Sequence, residues 1–239
     1  MDLKEFEKLF IEECNKNNIE TSNIDIEKFY KYMIGIIKWN EQINVTAITD
    51  EKEFLVKHFI DSLTISKFVE DGKSLLDIGT GAGFPGIPLK IVNPNMKVTL
   101  IDSVNKKLNV IREVSSEIDL DKLEIIHTRA EDLAKDIEYR EKFDFVTTRA
   151  VSNFSTIAEY MIPFLKIGGK AICMKGPNYE EELKEAENAI SILGGKVERP
   201  KKVLINDEIA RNIIVISKIK NTPAKYPRGQ GKPLKEPIK

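Results

Sequence analysis

The stretch Ser74-Leu75-Leu76-Asp77-Ile78-Gly79-Thr80-Gly81-Ala82-Gly83-Phe84-Pro85-Gly86 decides the fold. It begins as a short apolar run, typical of a buried strand, and then brings four glycines within eight residues. Glycine lets the backbone turn tightly and lets a ligand approach without meeting a Cβ atom. An apolar strand that runs into such a loop predicts a nucleotide-type cofactor site at the edge of a parallel sheet.

Two later segments indicate which cofactor this is. Val98-Thr99-Leu100-Ile101-Asp102 predicts a strand ending in an acid suited to two ribose hydroxyls, and a third strand leads to Ala130-Glu131-Asp132. With Asp77 two residues before the first glycine, this set resembles the S-adenosylmethionine-dependent methyltransferases. We expect the loop to wrap the methionine part, Asp102 to hold the ribose, and the third segment to read the adenine edge. The predicted cofactor-binding residues of these segments are Gly79, Gly81, Gly83, Phe84, Asp102, Ala130 and Glu131.

A dinucleotide is the competing cofactor. Gly81-x-Gly83-x-x-Gly86 also satisfies the dinucleotide-binding pattern, and Asp102 lies near the expected ~20 residues downstream. However, Pro85 has no N–H to offer a pyrophosphate, and Asp77 would repel one. The same acid suits the amino group and sulfonium of S-adenosylmethionine, so the pattern favours the methyl donor.

Composition places the chain among ordinary globular proteins. It has 239 residues, 41% hydrophobic and 31% charged, with a net charge of −1 that gives no global basic field for nucleic acid. Cys14 and Cys173 are far apart, which argues against a disulfide framework or a zinc site and fits a reducing cytoplasm. The acidic N-terminus predicts no signal peptide, and no apolar run approaches the ~18 residues that span a bilayer.

The chain divides by pattern into three parts. Residues 1–70 read as helices, the third of them over about Glu51 to Val69, and form a helical extension. Residues 71–220 alternate short apolar strands with helices, which predicts an α/β fold with a doubly wound, Rossmann-like parallel sheet. The predicted strands are Ser74–Ile78, Lys97–Ile101, Leu123–His127, Phe143–Thr147 and Lys170–Lys175, followed by apolar runs at Lys196–Val203 and Asn212–Ser217. Gly168-Gly169 and Gly194-Gly195 are predicted to end helices.

Residues 221–239 differ from the rest and are predicted to be a poorly ordered basic tail. They contain four of the ten prolines and five Lys or Arg residues. Tyr226 and Arg228 could stack on or bridge to RNA, so removing the tail should weaken RNA binding and spare the cofactor. The full set of candidate RNA contacts is Lys106, Lys107, Arg112, Lys175, Tyr226, Arg228 and Lys232.

Arg149 lies at the carboxyl end of the fourth predicted strand, two residues after Thr147, and is the one candidate for the catalytic centre. A buried arginine needs an anion, which could be the cofactor carboxylate, a substrate phosphate or a structural partner. Lys57, His58 and Asp61 share a predicted helix face, where an exposed His58 is either structural or orients that helix over the cofactor.

Two missing features narrow the methyl acceptor. Enzymes that methylate exocyclic amines commonly carry an Asn/Asp-Pro-Pro-Tyr/Phe turn after the fourth strand, where this chain has Thr147-Thr148-Arg149-Ala150. Enzymes that methylate pyrimidine C5 need a nucleophilic cysteine, but Cys173 lies inside an apolar strand and is unsuited to that role. A ring nitrogen such as guanine N7 needs neither device, because its lone pair is free and alignment suffices.

The same residues resemble the bacterial 16S ribosomal RNA guanine-N7 methyltransferases, once called glucose-inhibited division protein B. The resemblance rests on Ile43–Ile48, Lys57–Ser62, Asp77–Pro88, Leu100–Ser103, Arg129–Glu131, Arg149-Ala150, Lys175-Gly176, Tyr226–Arg228 and Lys235–Ile238. It implies methylation of N7 at guanine 527 of 16S RNA, with a donor site that involves Gly79, Phe84, Ala130-Glu131 and Arg149. It also implies the doubly wound fold with its helical extension.

We therefore expect a cytoplasmic, monomeric enzyme that uses S-adenosylmethionine and acts on 16S ribosomal RNA or the small subunit, without a metal or a membrane. Two alternatives stay open. One is a methyltransferase for a small molecule or a protein, against which the basic tail argues. The other is a non-catalytic RNA-binding or assembly factor, against which the intact cofactor motifs argue.

Overall fold

A computed structural model describes residues 1–149, 153–177, 179–206 and 209–239. In this part of the chain eight strands form one sheet, and the parallel ones grow from the apolar runs. Their bounds are β1 (Ser74–Ile78), β2 (Lys97–Asp102), β3 (Leu123–His127), β4 (Phe143–Arg149), β5 (Leu165–Lys175), β6 (Gly195–Val197), β7 (Lys201–Ile205) and β8 (Ile209–Lys218).

The strand order is β3-β2-β1-β4-β5-β8-β6, with β7 pairing on β8 beside β6. Strands β1 to β5 run parallel, and β8 adds antiparallel contacts to β5, β6 and β7. The order reverses between β1 and β4, which confirms the doubly wound sheet. A ligand site in such a sheet lies beyond the carboxyl ends of the strands at this reversal.

The helices cover both faces of the sheet. Aspartate side chains cap the first two helices, Asp2 through the Glu5 N–H and Asp25 through the Lys28 N–H. The bounds are α1 (Leu3–Lys16), α2 (Ile26–Asn40), α3 (Glu51–Phe54), α4 (Asp61–Leu63), α5 (Gly86–Val92), α6 (Asn105–Ser116), α7 (Ala130–Leu133), α8 (Phe154–Met161), α9 (Glu180–Leu193) and α10 (Lys232–Lys235).

The third predicted helix is not one regular helix to Val69. A π-helical segment, Leu55–Ile60, joins α3 to α4, and the chain leaves the helix after Leu63. The wider turn buries consecutive side chains, including His58, so the exposed histidine predicted from the sequence is wrong.

The sheet separates two hydrophobic cores. One core joins α1, α2 and the α3–α4 segment to α5, α6 and one face of the sheet. The other joins α7, α8 and α9 to the opposite face and includes Tyr226 of the C-terminal segment. The N-terminal helices are therefore continuous with the core of the sheet.

Two glycine predictions have opposite outcomes. Gly194 does end α9, with φ at +96°. Gly168 and Gly169 instead lie inside β5, where a Cβ on Gly169 would be 2.9 Å from the carbonyl oxygens of Phe143 and Asp144. Gly169 therefore lets β5 approach β4 where the register between them shifts, and Gly168 takes a positive φ of +85° beside it. The run Lys196–Val203 likewise forms two strands rather than one, because residues 198–200 interrupt it.

The C-terminal segment is ordered against the protein, contrary to the prediction of a loose tail. The Arg228 guanidinium pairs with the fully buried Glu159 carboxylate, with Nη2 to Oε2 at 2.7 Å. Arg140 Nη1 donates to the Tyr226 carbonyl oxygen at 2.8 Å, and Thr156 Oγ1 donates to the Pro233 carbonyl oxygen at 2.8 Å. The segment therefore belongs to the folded body.

Candidate active site

A cavity of about 270 Å³ opens at the carboxyl ends of β1, β2 and β3. It borders the point where the strand order reverses, as expected for a ligand site in this kind of sheet. Its walls include Gly79, Asp102, Ser103, Ala130, Glu131 and Tyr160. The structure thus brings four of the predicted cofactor residues to one cavity.

The glycines of the loop after β1 have different reasons to be glycine. Gly79, Gly81 and Gly83 all have positive φ, at +68°, +60° and +87°. Space around Gly81 is open, with no heavy atom within 4 Å of the place a Cβ would occupy, so a ligand can approach the backbone there. A Cβ on Gly83 would instead lie 2.3 Å from the Tyr32 hydroxyl oxygen, so Gly83 allows α2 to pack on the loop.

Most N–H groups of this loop are already bonded within the protein. Gly79 and Thr80 donate to the Ile101 carbonyl oxygen, and Gly86, the first residue of α5, donates to Asp77 Oδ2 at 3.0 Å. A pyrophosphate would need such groups free at the helix N-terminus. The geometry therefore argues against the dinucleotide alternative.

Asp77 organises the loop from inside. Its side chain is fully buried, and Oδ2 accepts hydrogen bonds from Thr80 Oγ1 at 2.7 Å and from the Gly86 N–H. Its other oxygen, Oδ1, has no hydrogen-bond partner among the described residues. Burial raises the pKa of Asp77 to about 6, and the two hydrogen bonds oppose that rise.

Asp102 is held in place at the end of β2. Its Oδ2 accepts from the Gly81 N–H at 3.0 Å, and its Oδ1 accepts from the Val104 N–H at 2.8 Å. Each carboxylate oxygen has a second lone pair, and the residue is half-buried in the cavity wall. This carboxylate can accept hydrogen bonds from two vicinal hydroxyls.

Ala130 and Glu131 begin α7 on the opposite wall of the cavity. Glu131 is buried, and its Oε1 accepts from the Gly231 N–H of the C-terminal segment at 3.2 Å. No pattern in the sequence indicates this contact, because the two residues are 100 positions apart. The C-terminal segment therefore supports a wall of the candidate site.

Phe84, predicted to bind the cofactor, is buried in an aromatic cluster and is not among the described residues that line the cavity. Its ring stacks on the His58 ring with centroids 4.4 Å apart and planes 6° from parallel. Tyr32, Phe54 and Phe59 meet it edge-on. Phe84 therefore connects the glycine loop to the N-terminal helices.

Arg149 is the last residue of β4, two residues beyond the predicted end of that strand, and its anion within the protein is Asp61. Nη1 of Arg149 lies 3.2 Å from Asp61 Oδ2 and donates to the Lys57 carbonyl oxygen at 3.0 Å. Nη2 lies 3.0 Å from His58 Nδ1, and the guanidinium carbon lies 5.3 Å from the centroid of the Phe84 ring. The Lys57 side chain instead pairs with Glu53 in solvent, away from this cluster.

The arginine contact defines the state of His58. Burial lowers the pKa of His58 to about 3, and the positive charge of Arg149 contributes to that fall, so the ring is neutral. Because an arginine can only donate, Nδ1 accepts and the proton lies on Nε2. Nε2 then donates to Thr46 Oγ1 at 2.8 Å.

The candidate RNA contacts fall into two groups. On α6, Lys106 and Arg112 are exposed and Lys107 is half-buried, and Lys232 is exposed on α10. The others have partners within the protein. Lys175 Nζ lies 2.7 Å from Glu182 Oε2, Tyr226 is buried, and Arg228 is paired with Glu159. Ala150 lies outside the described residues.

Neither cysteine offers a nucleophile. Both are buried, and burial raises the pKa of the Cys14 and Cys173 thiols to about 12. Among the described residues, no group of three or more His, Cys, Asp or Glu side chains is arranged to hold a metal ion. In the same residues, no helix has the length and apolar character needed to cross a bilayer.

A larger cavity, of about 840 Å³, lies at the opposite edge of the sheet. Its walls include Ser74, Lys97, Leu123 and Phe143, which begin β1 to β4. Ligands of doubly wound sheets bind at the carboxyl ends, so the smaller cavity is the candidate active site.

The fold is that of the S-adenosylmethionine-dependent methyltransferases. The chain is similar to a SAM-dependent methyltransferase from Aquifex aeolicus, with a TM-score of 0.54 and 20% identity over 73% of this chain and 97% of that one. It is also similar to a SAM-dependent O-methyltransferase from Thermotoga maritima, with a TM-score of 0.53 and 14% identity over 79% of this chain and 72% of that one.

Sequence comparison defines the family within this class. The family model GidB, described as rRNA small subunit methyltransferase G, matches residues 25–214. Proteins named ribosomal RNA small subunit methyltransferase G are similar over nearly the whole chain. The one from Alkaliphilus oremlandii is 46% identical over 93% of this chain and 94% of its own length. The one from Acetivibrio thermocellus is 44% identical over 100% of both. The chain belongs to the rRNA small subunit methyltransferase G family.

Proposed function

We propose that the protein transfers a methyl group from S-adenosylmethionine to N7 of guanine 527 in 16S ribosomal RNA. The observation that carries this proposal is membership of the rRNA small subunit methyltransferase G family over nearly the full length. The cavity beyond β1 to β3 supports it, because its carboxylates and open glycine backbone suit this donor.

Different residues at the cavity would bind different parts of the donor. Asp102 would accept the ribose hydroxyls, and the open backbone at Gly81 would admit the methionine chain. The buried Ala130-Glu131 turn would lie against the adenine. Arg149 would meet the carboxylate of the donor. Bound there, S-adenosylmethionine would supply an electrophilic methyl group.

N7 as the acceptor agrees with the chemistry of the chain. The burial of Cys14 and Cys173, which raises the pKa of both thiols, argues against a thiolate attack on a pyrimidine ring. Guanine N7 carries a free lone pair and needs no base to remove a proton. The protein then has to align the ring nitrogen with the methyl group and exclude water.

The test uses purified protein, labelled S-adenosylmethionine and small ribosomal subunits that lack the modification. Borohydride reduction and aniline then cleave the RNA at N7-methylguanine. We expect a single enzyme-dependent break at position 527. Label in the RNA without a break would mean that another atom is methylated. No label in the RNA would contradict the proposal and favour a different substrate.

A further inference from the structure

Asp61 lies at the centre of a buried cluster that joins three distant parts of the chain. Its side chain is 1% exposed and lies between two guanidinium groups, those of Arg149 on β4 and Arg211 on β8. Arg211 Nε lies 2.9 Å from Oδ1, and Arg149 Nη1 lies 3.2 Å from Oδ2. Burying a carboxylate costs desolvation free energy, and the attraction to the two guanidinium groups offsets that cost.

The cluster leaves part of Arg149 uncommitted. A guanidinium carries five N–H donors. Among the described residues, three of these donate to the Lys57 carbonyl oxygen, Asp61 Oδ2 and His58 Nδ1. The Nε–H and one N–H of Nη2 remain. Asp61 balances one of the two arginine charges, and Asp77 is a further acid close enough to act electrostatically on Arg149.

The same cluster fixes the direction of Arg149. His58 accepts from Nη2 and stacks on Phe84 of the glycine loop, so arginine and loop are held by one ring. Arg211 anchors Asp61 to the sheet through two contacts, at 2.9 and 3.5 Å. A guanidinium with three fixed bonds can present its other two donors in one orientation.

We propose that Asp61 is a positioning residue that holds Arg149 so that its two remaining N–H groups bind the carboxylate of the methyl donor, with Arg211 as the anchor of Asp61. This inference rests on the proposed function, since it takes S-adenosylmethionine as the ligand. It assigns a supporting role in the donor site to the α3–α4 segment, which packs in one core with a face of the sheet.

The test compares two ligands that differ in the carboxylate alone. Isothermal titration of the full chain measures the affinity for S-adenosylmethionine and for its decarboxylated form. We expect the wild-type protein to prefer the former by about 10- to 100-fold, as for a charged hydrogen-bonded pair. In Asp61→Asn this preference should fall to about threefold or less, with the affinity for the decarboxylated ligand unchanged.

Asp144→Asn is the matched control. Asp144 lies at the other end of β4 and pairs with Lys166, so its variant should keep the wild-type preference. If Asp61→Asn does not fold, Arg211→Gln replaces it. That variant leaves Arg149 and Asp61 intact, removes the anchor, and should also narrow the preference.

The possible results separate this inference from the proposed function. An equal loss of affinity for both ligands in the Asp61 variant would make Asp61 merely structural and overturn the inference. Equal affinity of the wild-type protein for both ligands would overturn it too, while methyl transfer stands. Failure of the wild-type protein to bind S-adenosylmethionine would overturn both.

Discussion

Arg149 and Gly83 show what single residues reveal before a structure is known. The need of Arg149 for an anion follows from an arginine at the end of an apolar strand. The identity of that anion does not, because Asp61 is 88 positions away and the α3–α4 segment brings it close. For Gly83, the sequence predicted a place in the loop but not its contact with the Tyr32 hydroxyl.

Asp77 should give the stability of the protein an unusual pH dependence. Its pKa is raised from 3.8 to about 6 in the folded protein, so folding favours the protonated form. Its contribution is therefore most favourable below pH 4 and is lost as the pH rises through 6, by on the order of 3 kcal/mol. Asp77→Asn should lack this loss, as measured by urea unfolding between pH 4 and 7.

Asp144→Asn provides a control of opposite sign for that titration. Burial opposes the shift, but hydrogen bonds from Lys166 and Ser74 lower the pKa of Asp144. The stability that Asp144 contributes is present above its ordinary pKa of 3.8 and is lost below it, so the urea series is extended below pH 3.8, where Asp144→Asn should lack this loss. If the free energy of unfolding had the same pH dependence in the wild-type protein and in Asp77→Asn, the raised pKa of Asp77 would be contradicted.

Gly81 and Gly168 form a matched pair for testing the loop. Both have positive φ, at +60° and +85°, and both have open space around the added Cβ. Valine at either position should cost similar backbone strain, about 1–2 kcal/mol. Gly81→Val should in addition weaken S-adenosylmethionine binding by about 100-fold or more, as measured by titration calorimetry. Equal donor affinity in the two variants would remove Gly81 from the site.

At the scale of elements, the parallel strands were predictable because buried strands are continuous apolar runs. β1 and β3 have the predicted bounds, and β2 and β4 extend the predictions by one and two residues. The prediction of a helix end at Gly168-Gly169 was wrong. A glycine is also found where two strands approach closely, as at Gly169, and the sequence does not distinguish this case from a helix end. The C-terminal segment was also mispredicted, since composition does not reveal the buried carboxylate of Glu159 that holds Arg228.

Removing residues 231–239 should weaken donor binding, contrary to what the sequence predicted for the tail. The deletion takes away the Gly231 N–H bonded to Glu131, so the wall of the cavity loses its support. We expect an affinity for S-adenosylmethionine lower by about 5- to 20-fold, within the range for a hydrogen bond to a charged group. The double variant Lys232→Ala with Lys235→Ala keeps the backbone of the segment and should keep the wild-type affinity for S-adenosylmethionine. If the deletion also kept the wild-type affinity, the C-terminal segment would not support the cavity wall.

At the scale of the whole molecule, two cores on opposite faces of one sheet leave the strand ends open between them. The three-part division into residues 1–70, 71–220 and 221–239 stays a prediction. The shared cores follow from long-range packing, which local patterns do not encode. The net charge of −1 means that RNA binding must depend on local basic groups.

One local basic group lies at the start of α6, close to the end of β2 where Asp102 is found. It consists of Lys106 and Lys107. If both contact phosphates, replacing them by alanine should reduce the slope of log K against log salt by about 1.4–1.8. Filter binding to the RNA hairpin at several salt concentrations measures this. Lys97→Ala with Lys122→Ala, at the opposite edge of the sheet, should leave the slope unchanged. Equal slopes for both pairs would exclude α6 from the RNA contact.

The hydrogen bonds of Asp102 to the Gly81 and Val104 N–H groups have a further consequence. The carboxylate and the loop lose their conformational freedom when the chain folds, so this entropy is not lost again on ligand binding. Association can then be fast, and the lifetime of the bound state is set by contacts rather than by a closing loop.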